Sequence, residues 1–189
     1  YETDCIPVAD GDIYVAAHAV VCGGMVDGVV PDYEALCESI PEFAKMENQG
    51  LNGSISYNKL NVYDSGDEEF DGIYNGWCIE QGVHLYTWED YEVKLLCSLG
   101  DLSELEGRII ITNFDLINFI LNQNYIGYVP EGLGAITVSD VQMAIWELVM
   151  GAEWTYDGDF GSSDERVDWI LAQAAGHEGY MPGCGGVIS

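Results

Sequence analysis

Six cysteines are the residues of this chain best suited to covalent chemistry, and they are scattered along its length. They are Cys5, Cys22, Cys37, Cys78, Cys97 and Cys184. Metal sites and dithiol redox sites usually bring two cysteines close together in sequence, and no C-x-x-C or C-x-C pair occurs here. An even, dispersed set is typical of disulfides in an oxidising compartment, so all six are predicted to form disulfides. Buried thiols in a cytosolic protein are the alternative, and the sequence does not choose the pairing.

Two acidic, glycine-containing segments could supply oxygen ligands for calcium. The ligand candidates are Asp64, Asp67, Glu69 and Asp71 in the first segment and Asp157, Asp159 and Asp164 in the second. Calcium binds several oxygens, which carboxylates on flexible backbone can provide. Neither segment is an EF-hand, because a loop that starts at Asp157 has Ser162 where the invariant glycine belongs. The segments therefore predict weak calcium binding, with a merely solvated acidic loop as the alternative.

The histidines give no support for a metal or triad enzyme. His18, His84 and His177 are isolated, and none has a second histidine or a cysteine at a ligand spacing. The sequence contains no G-x-S-x-G, no H-E-x-x-H and no phosphate loop. The paired carboxylates of glycosidases have no local sequence signature. A protein that is not an enzyme is therefore predicted, and a secreted carbohydrate-active enzyme stays as an alternative.

Two motifs, one around Cys78 and one around Gln142, resemble those of a known family. The chain has Gly76-Trp-Cys-Ile-Glu80 and, much later, Val141-Gln-Met-Ala-Ile-Trp146. They are similar to the cysteine and the T-Q-x-A-I-W motif of the thioester domains of bacterial surface adhesins, and the resemblance covers roughly residues 70–184. It implies that Cys78 displaces ammonia from the Gln142 amide and that an amine on a target surface then attacks the internal thioester. Val141 stands where the family has threonine.

Both residues also have a purely structural interpretation. Ser139 and Gln142 have the S-x-x-Q spacing of a helix capping box. Cys78 could instead form a disulfide with Cys184, whereas a thioester at Cys78 would leave an odd number of cysteines for disulfides. The thioester and the structural interpretation therefore both stay open at this point.

The charge of the chain restricts its partners and its compartment. It carries 33 acidic and five basic side chains, a net charge of −28, which argues against binding to nucleic acid or to an anionic membrane surface. No apolar run approaches the roughly 20 residues that span a bilayer. The first residue is Tyr1 rather than Met, as expected after removal of a signal peptide. We therefore predict an extracellular protein in a medium that contains salt or calcium, with Asn52 as a candidate glycosylation site.

The elements that must position these residues change character along the chain. Residues 1–111 predict strands over 12–22, 54–63, 77–79, 83–88, 91–97 and 108–112, with a short helix over 32–39. Residues 112–189 predict helices over 113–124, 139–150 and 163–175, the last beginning with a capping box of Ser162 and Glu165. The order predicts one α+β domain over 1–189, a mostly antiparallel sheet or barrel with about three helices packed on it and disulfides that stabilise it.

Aromatic residues complete the functional prediction. Tyr74, Trp154, Tyr156 and Tyr180 are flanked by Gly or Asp and are candidates for a contact surface with another subunit or with glycan. The sequence predicts a secreted, acidic, structural or adhesive surface protein that self-assembles as a homo-oligomer, filament, sheath or surface layer and attaches to glycan or another cell surface. A covalent adhesin that acts through Cys78 and Gln142 is the first alternative, and the carbohydrate-active enzyme is the second.

Overall fold

The structure, a computed structural model, describes residues 15–17, 19–20, 33–54, 57–79, 85–151, 160–182 and 187–188. Its strands are β1 (Val15–Ala17), β2 (Ala19–Val20), β3 (Phe43–Ser54), β4 (Tyr57–Tyr63), β5 (Gly72–Cys78), β6 (Asp90–Lys94) and β7 (Val187–Ile188). Its helices are α1 (Tyr33–Ser39), α2 (Phe114–Leu121), α3 (Val138–Met150) and α4 (Asp164–Ala174). Because an antiparallel sheet is followed by a group of helices, the predicted α+β class is confirmed.

Five strands form one antiparallel sheet in the order β1-β5-β4-β3-β6. Over the described residues the sheet is open, with β1 and β6 at its edges, so it is a sheet rather than the barrel that was the other predicted form. In β4 the buried residues Asn58, Leu60 and Val62 alternate with more exposed ones, as the two-residue period of a strand requires. We call the face that carries these three side chains the inner face. It forms an apolar cluster with Met46 and Val93 of the neighbouring strands.

The three lysines of the chain all lie on the opposite, outer face of the sheet. Lys45 is directly across the ladder from Tyr63, and Lys94 is directly across from Phe43. Residues that pair directly share a face, and so do residues two or four positions apart in one strand. By this rule Lys59, four residues before Tyr63, joins Lys45 and Lys94 on the outer face.

Helices α2 and α4 pack against α3, which also contacts β3 and β5. Its apolar residues Ala144, Ile145, Trp146 and Val149 are buried in the larger core cluster of the protein. The cluster also contains Trp77, Cys78 and Ile79 from the end of β5. The helical layer therefore meets the sheet at the carboxyl end of β5, and this junction contains both residues of the motif pair.

The start of α3 differs from the capping box predicted from the sequence. The N-cap is Thr137, whose side chain accepts from the Asp140 N–H, while the Asp140 carboxylate accepts from the Thr137 N–H at 2.7 Å. The prediction that Ser139 and Gln142 form the box is therefore wrong. The capping box lies two residues earlier, so the Gln142 side chain takes no part in capping the helix.

The start of α4 also differs from the sequence prediction. Its N-cap is Ser163, which makes no side-chain capping hydrogen bond, so the capping box predicted for Ser162 and Glu165 is wrong; the Ser163 hydroxyl donates to the Glu165 carboxylate at 2.6 Å instead. The ends of both helices agree with the sequence. Gly151 caps α3 at a φ of 90°, and Gly176 follows α4 at a φ of 85°, conformations that side-chain-bearing residues rarely adopt.

The strand predicted over 108–112 is wrong. Ile109 forms only an isolated bridge with Glu106, and Ile111–Asn113 is a turn of 3-10 helix. This segment is apolar because it packs against the end of α3, where the Ile110 N–H donates to the Val149 carbonyl at 2.7 Å. Contact with a helix, not membership of the sheet, accounts for the apolar run.

Two other parts of the sheet also differ from the prediction. The described residues 85–88 of the strand predicted over 83–88 form no strand, and Trp88 has a φ of 64°. No strand is predicted over 43–53, yet β3 covers this range and pairs with both β4 and β6. The β3–β4 register shifts between Asn48 and Leu51, which breaks the alternation of polar and apolar residues that identifies a strand.

A disulfide joins the first helix to the segment after β6. Cys37 in α1 and Cys97 form it with an S–S distance of 2.08 Å, so the predicted disulfide stabilisation is confirmed for this pair. Cys5, Cys22 and Cys184 lie outside the described residues. In the part of the chain that the structure describes, no helix has the length and apolar character needed to cross a membrane.

Candidate functional site

Cys78 is the last residue of β5, at the junction between the sheet and the helices. Its exposed fraction is 6%, and among the described residues its sulfur is joined to no other cysteine, so the disulfide predicted for it stays a prediction. Cys184, the partner considered for it, lies outside the described residues. A cysteine thiol is the species from which an acyl transfer to sulfur starts.

Gln142 comes from the second turn of α3, 64 residues further along the chain, and is 1% exposed. Because the capping box is made by Thr137 and Asp140, the Gln142 carboxamide is not needed at the helix terminus. It contacts the end of β5 instead. The structure thus brings together the two residues that the family resemblance pairs.

Two hydrogen bonds hold the Gln142 carboxamide against the backbone of Cys78. The Cys78 N–H donates to Gln142 Oε1 at 3.2 Å, and Gln142 Nε2 donates to the Cys78 carbonyl at 2.7 Å. The carboxamide group is therefore fixed beside the cysteine at both its oxygen and its nitrogen. When a nucleophile attacks an amide carbon, negative charge develops on the amide oxygen, and in Gln142 this oxygen, Oε1, already accepts the Cys78 N–H. The Gln142 carboxamide thus lies against the residue that carries the sulfur, with a backbone donor on its oxygen.

Asn58 is a third polar residue at this site, and it is not among the residues predicted from the sequence. It lies on the inner face of β4, is 2% exposed, and its Nδ2 is 3.8 Å from Cys78 Sγ. The signal in the sequence is a single asparagine in the phase of Leu60 and Val62, two apolar residues of the same strand face. A polar side chain in that position has to find a partner, because burial without one is costly.

The surroundings of the pair are apolar. Trp77 and Ile79 flank Cys78 in sequence, Trp146 lies one helical turn after Gln142, and all three are no more than 4% exposed. The ring centroids of Tyr57 and Trp77 are 4.2 Å apart. Cys78 and Gln142 therefore lie in apolar surroundings that are largely closed to water.

A buried carboxylate anchors the start of α3 to the start of α4. Asp140 is 0% exposed, and it accepts hydrogen bonds from the Thr137 hydroxyl at 2.8 Å, the Ser163 N–H at 2.8 Å and Arg166 Nε at 2.7 Å. Burial alone raises the pKa of Asp140, but the hydrogen bonds from Arg166, Thr137 and Ser163 together outweigh it and hold the pKa below its usual value. The network fixes the helix two residues before Gln142.

In the first acidic segment, three of the candidate carboxylates accept hydrogen bonds from other groups of the protein. Asp64 accepts from Lys45 at 2.8 Å, Asp67 accepts from the Glu69 N–H at 3.0 Å, and Asp71 accepts from the Ser65 N–H at 3.1 Å. Among the described residues, no group of three or more His, Cys, Asp or Glu side chains is arranged to hold a metal ion. Calcium binding stays a prediction.

The second acidic segment is described only in part. Asp157 and Asp159 lie outside the described residues, and Asp164 is the exposed first residue of α4. Asn52, the candidate glycosylation site, lies within the β3 strand. Its glycosylation also stays a prediction.

Three of the remaining sequence candidates, His177, Tyr180 and Tyr74, contact other parts of the protein. His177 stacks on Phe119 with ring centroids 3.8 Å apart, and Tyr180 meets the same ring edge-on at 5.3 Å. The Tyr74 hydroxyl donates to the Phe70 carbonyl at 2.7 Å. His18, His84, Trp154 and Tyr156 lie outside the described residues. Tyr180 and His177 therefore anchor the segment after α4 onto α2.

Comparison of the chain with protein-family models, with curated proteins and with solved structures finds no match.

Proposed function

We propose that this protein is an extracellular adhesin that attaches covalently to a target amine through an internal thioester between Cys78 and Gln142. The observation that carries the proposal is the pair of hydrogen bonds, 3.2 and 2.7 Å long, between the Gln142 carboxamide and the Cys78 backbone. A capping role for Gln142 would not require this contact, because Thr137 and Asp140 form the capping box of α3. The Cys37–Cys97 disulfide supports an oxidising, extracellular compartment.

Formation of the thioester is an exchange of one acyl bond for another. Cys78 Sγ attacks the carboxamide carbon of Gln142, the C–N bond breaks, and the thiol proton leaves with the amide nitrogen as ammonia. The Cys78 N–H supports this step because it donates to Oε1, where negative charge develops in the tetrahedral intermediate. No electrons are transferred and no cofactor takes part.

Attachment is the second half of the same chemistry. The nitrogen of a target amine attacks the thioester carbonyl, the C–S bond breaks, and the sulfur regains a proton as the Cys78 thiol. The product is an amide between the former Gln142 side chain and the target, which water hydrolyses far more slowly than a thioester. With a net charge of −28, the protein attracts cationic partners, so the amine is expected on a lysine-rich protein surface.

Intact mass spectrometry of the untreated protein tests the proposal. The expected mass is short by one molecule of ammonia beyond the hydrogens lost to disulfides, and incubation with methylamine replaces that loss by addition of the amine at Gln142. Cys78→Ser and Gln142→Ala variants are the matched controls. Neither is expected to lose ammonia or to form an adduct with methylamine. A wild-type protein with full mass and no methylamine adduct would refute the thioester.

The predictions of self-assembly and of carbohydrate turnover concern contacts outside a single chain. Sedimentation across a range of salt and calcium concentrations measures the first, and glycan hydrolysis assays measure the second. Both stay predictions from the sequence, and the geometry of the Cys78–Gln142 site favours covalent attachment over either.

A further inference from the structure

Asn58 is a buried amide in an otherwise apolar row of the sheet. It is 2% exposed, and Leu60 and Val62, the next residues on the same face of β4, are 0% and 5% exposed. Burying a carboxamide among such side chains costs free energy unless the amide has hydrogen-bond partners. An apolar residue would fill the position at lower cost if packing were the only requirement.

The ladder between β4 and β5 directs this amide to the sulfur of Cys78. Asn58 lies directly across from Gly76, two residues before Cys78 and on the same face of the sheet. Gly76 has no side chain to stand between the two residues. Asn58 Nδ2 reaches to 3.8 Å from Cys78 Sγ, which is within the longer range of hydrogen bonds to sulfur.

We propose that Asn58 is a positioning residue that donates a hydrogen bond to the Cys78 sulfur and thereby orients it and stabilises its negatively charged form. The inference rests on the proposed thioester chemistry and extends it. The same N–H serves both directions of the reaction, because sulfur carries negative charge as it attacks Gln142 and again as it leaves when an amine attacks. Gln142 is held from the backbone of Cys78, and Asn58 acts on its side chain.

The test compares Asn58→Leu, a replacement of similar size that lacks the N–H, with the wild-type protein. The rate of thioester opening by methylamine, measured by intact mass, is expected to fall about tenfold, the value of one hydrogen bond to a charged group. Asn48→Leu is the matched control. Asn48 is equally buried in the neighbouring strand, but its Nδ2 donates to the Leu85 carbonyl at 3.0 Å, so its loss should affect stability and leave the opening rate of folded protein unchanged.

A second measurement does not depend on the thioester. In a Gln142→Ala background, modification of Cys78 by methyl methanethiosulfonate is followed against pH at the level of the Cys78 peptide. Exchanging Asn58 for leucine alters no charge, so a shift of the half-maximal rate to higher pH reports the lost hydrogen bond. A purely structural role would leave this profile unmoved.

The outcomes separate the two proposals. Absence of an ammonia loss in the wild-type protein would refute the thioester, and the pH profile alone would then decide on Asn58. If the wild-type and Asn58→Leu proteins have equal rates of thioester opening and equal pH profiles of Cys78 modification, the positioning role is overturned. If the leucine variant does not fold, Asn58→Ala removes the amide without adding apolar bulk and gives the same two readouts.

Discussion

Replacement of Asp140 by alanine is expected to destabilise the protein strongly, although the site of the change is away from the reacting atoms. The carboxylate is 0% exposed and accepts hydrogen bonds from the backbones of Thr137 and Ser163 and from the guanidinium of Arg166. Its loss leaves these donors without an acceptor inside the protein. Breaking a buried pair by removal of one partner costs about 3–5 kcal/mol.

The expected magnitude lies at the low end of that range. The Arg166 side chain is 18% exposed, so water compensates part of the loss. A cost of about 3 kcal/mol corresponds to a fall in Tm of about 6–12 °C for a chain of this length. Asp64→Asn is the matched control, since Asp64 binds Lys45 at 2.8 Å in an ion pair that is exposed to water, and asparagine tolerates the φ of 54° at this position. Loss of this ion pair should change Tm little.

The effect of Asp140 also has a defined dependence on pH. Its pKa is lower in the folded protein than in the unfolded chain, so its contribution is complete above the unfolded pKa, about 4, and is lost as the pH falls through the folded pKa. Thermal unfolding followed by circular dichroism should therefore show a constant difference between wild type and Asp140→Ala from neutral pH down to about 4. A difference in Tm of less than about 2 °C at neutral pH would refute the anchoring role.

Two further predictions concern the disulfide and the charge of the chain. Cys37→Ser combined with Cys97→Ser removes a cross-link between residues 60 apart and should lower the free energy of unfolding by about 4 kcal/mol, measured from the urea midpoint; an unchanged midpoint would contradict this. A basic lysine peptide should open the thioester faster than an acidic peptide with the same central lysine, and added salt should reduce the difference; equal rates at low salt would show that the net charge of −28 does not guide the target.

The elements predicted best from the sequence are those whose burial follows a local period. In α4 the stripe of Val167, Ile170 and Ala174 is buried, and α2 likewise buries Ile117 and Ile120. Each of these helices presents one apolar side to the core, so spacing along the chain is sufficient to locate it. Their class and approximate limits therefore follow from the sequence alone.

The elements predicted worst depend on contacts with distant parts of the chain. The capping box could begin at Thr137 or at Ser139, and its true position is reinforced by Arg166, 26 residues after Asp140. The run at 108–112 is apolar because it packs on α3, a fact that no local period contains. Long-range contacts of this kind override local preference.

The candidate site was predictable only through the family resemblance. Nothing local relates Cys78 to Gln142 across 64 residues, and their contact arises only when α3 packs on the end of β5. Asn58 could have been found as the one polar residue in the apolar phase of its strand. Its partner, however, depends on the β4–β5 register, which the sequence does not specify.

The two faces of the sheet also bear on how such a protein would avoid reacting with itself. An acyl donor reacts with whichever amine reaches it most often, and an amine of the same chain is present at a far higher effective concentration than any target. Here the lysines occupy the outer face, whereas Cys78 shares the inner face with Asn58. Even Lys59, the residue next to Asn58, is directed to the opposite side. If the proposed thioester forms, the sheet would stand between it and the protein's own lysines and leave it to amines that arrive from outside.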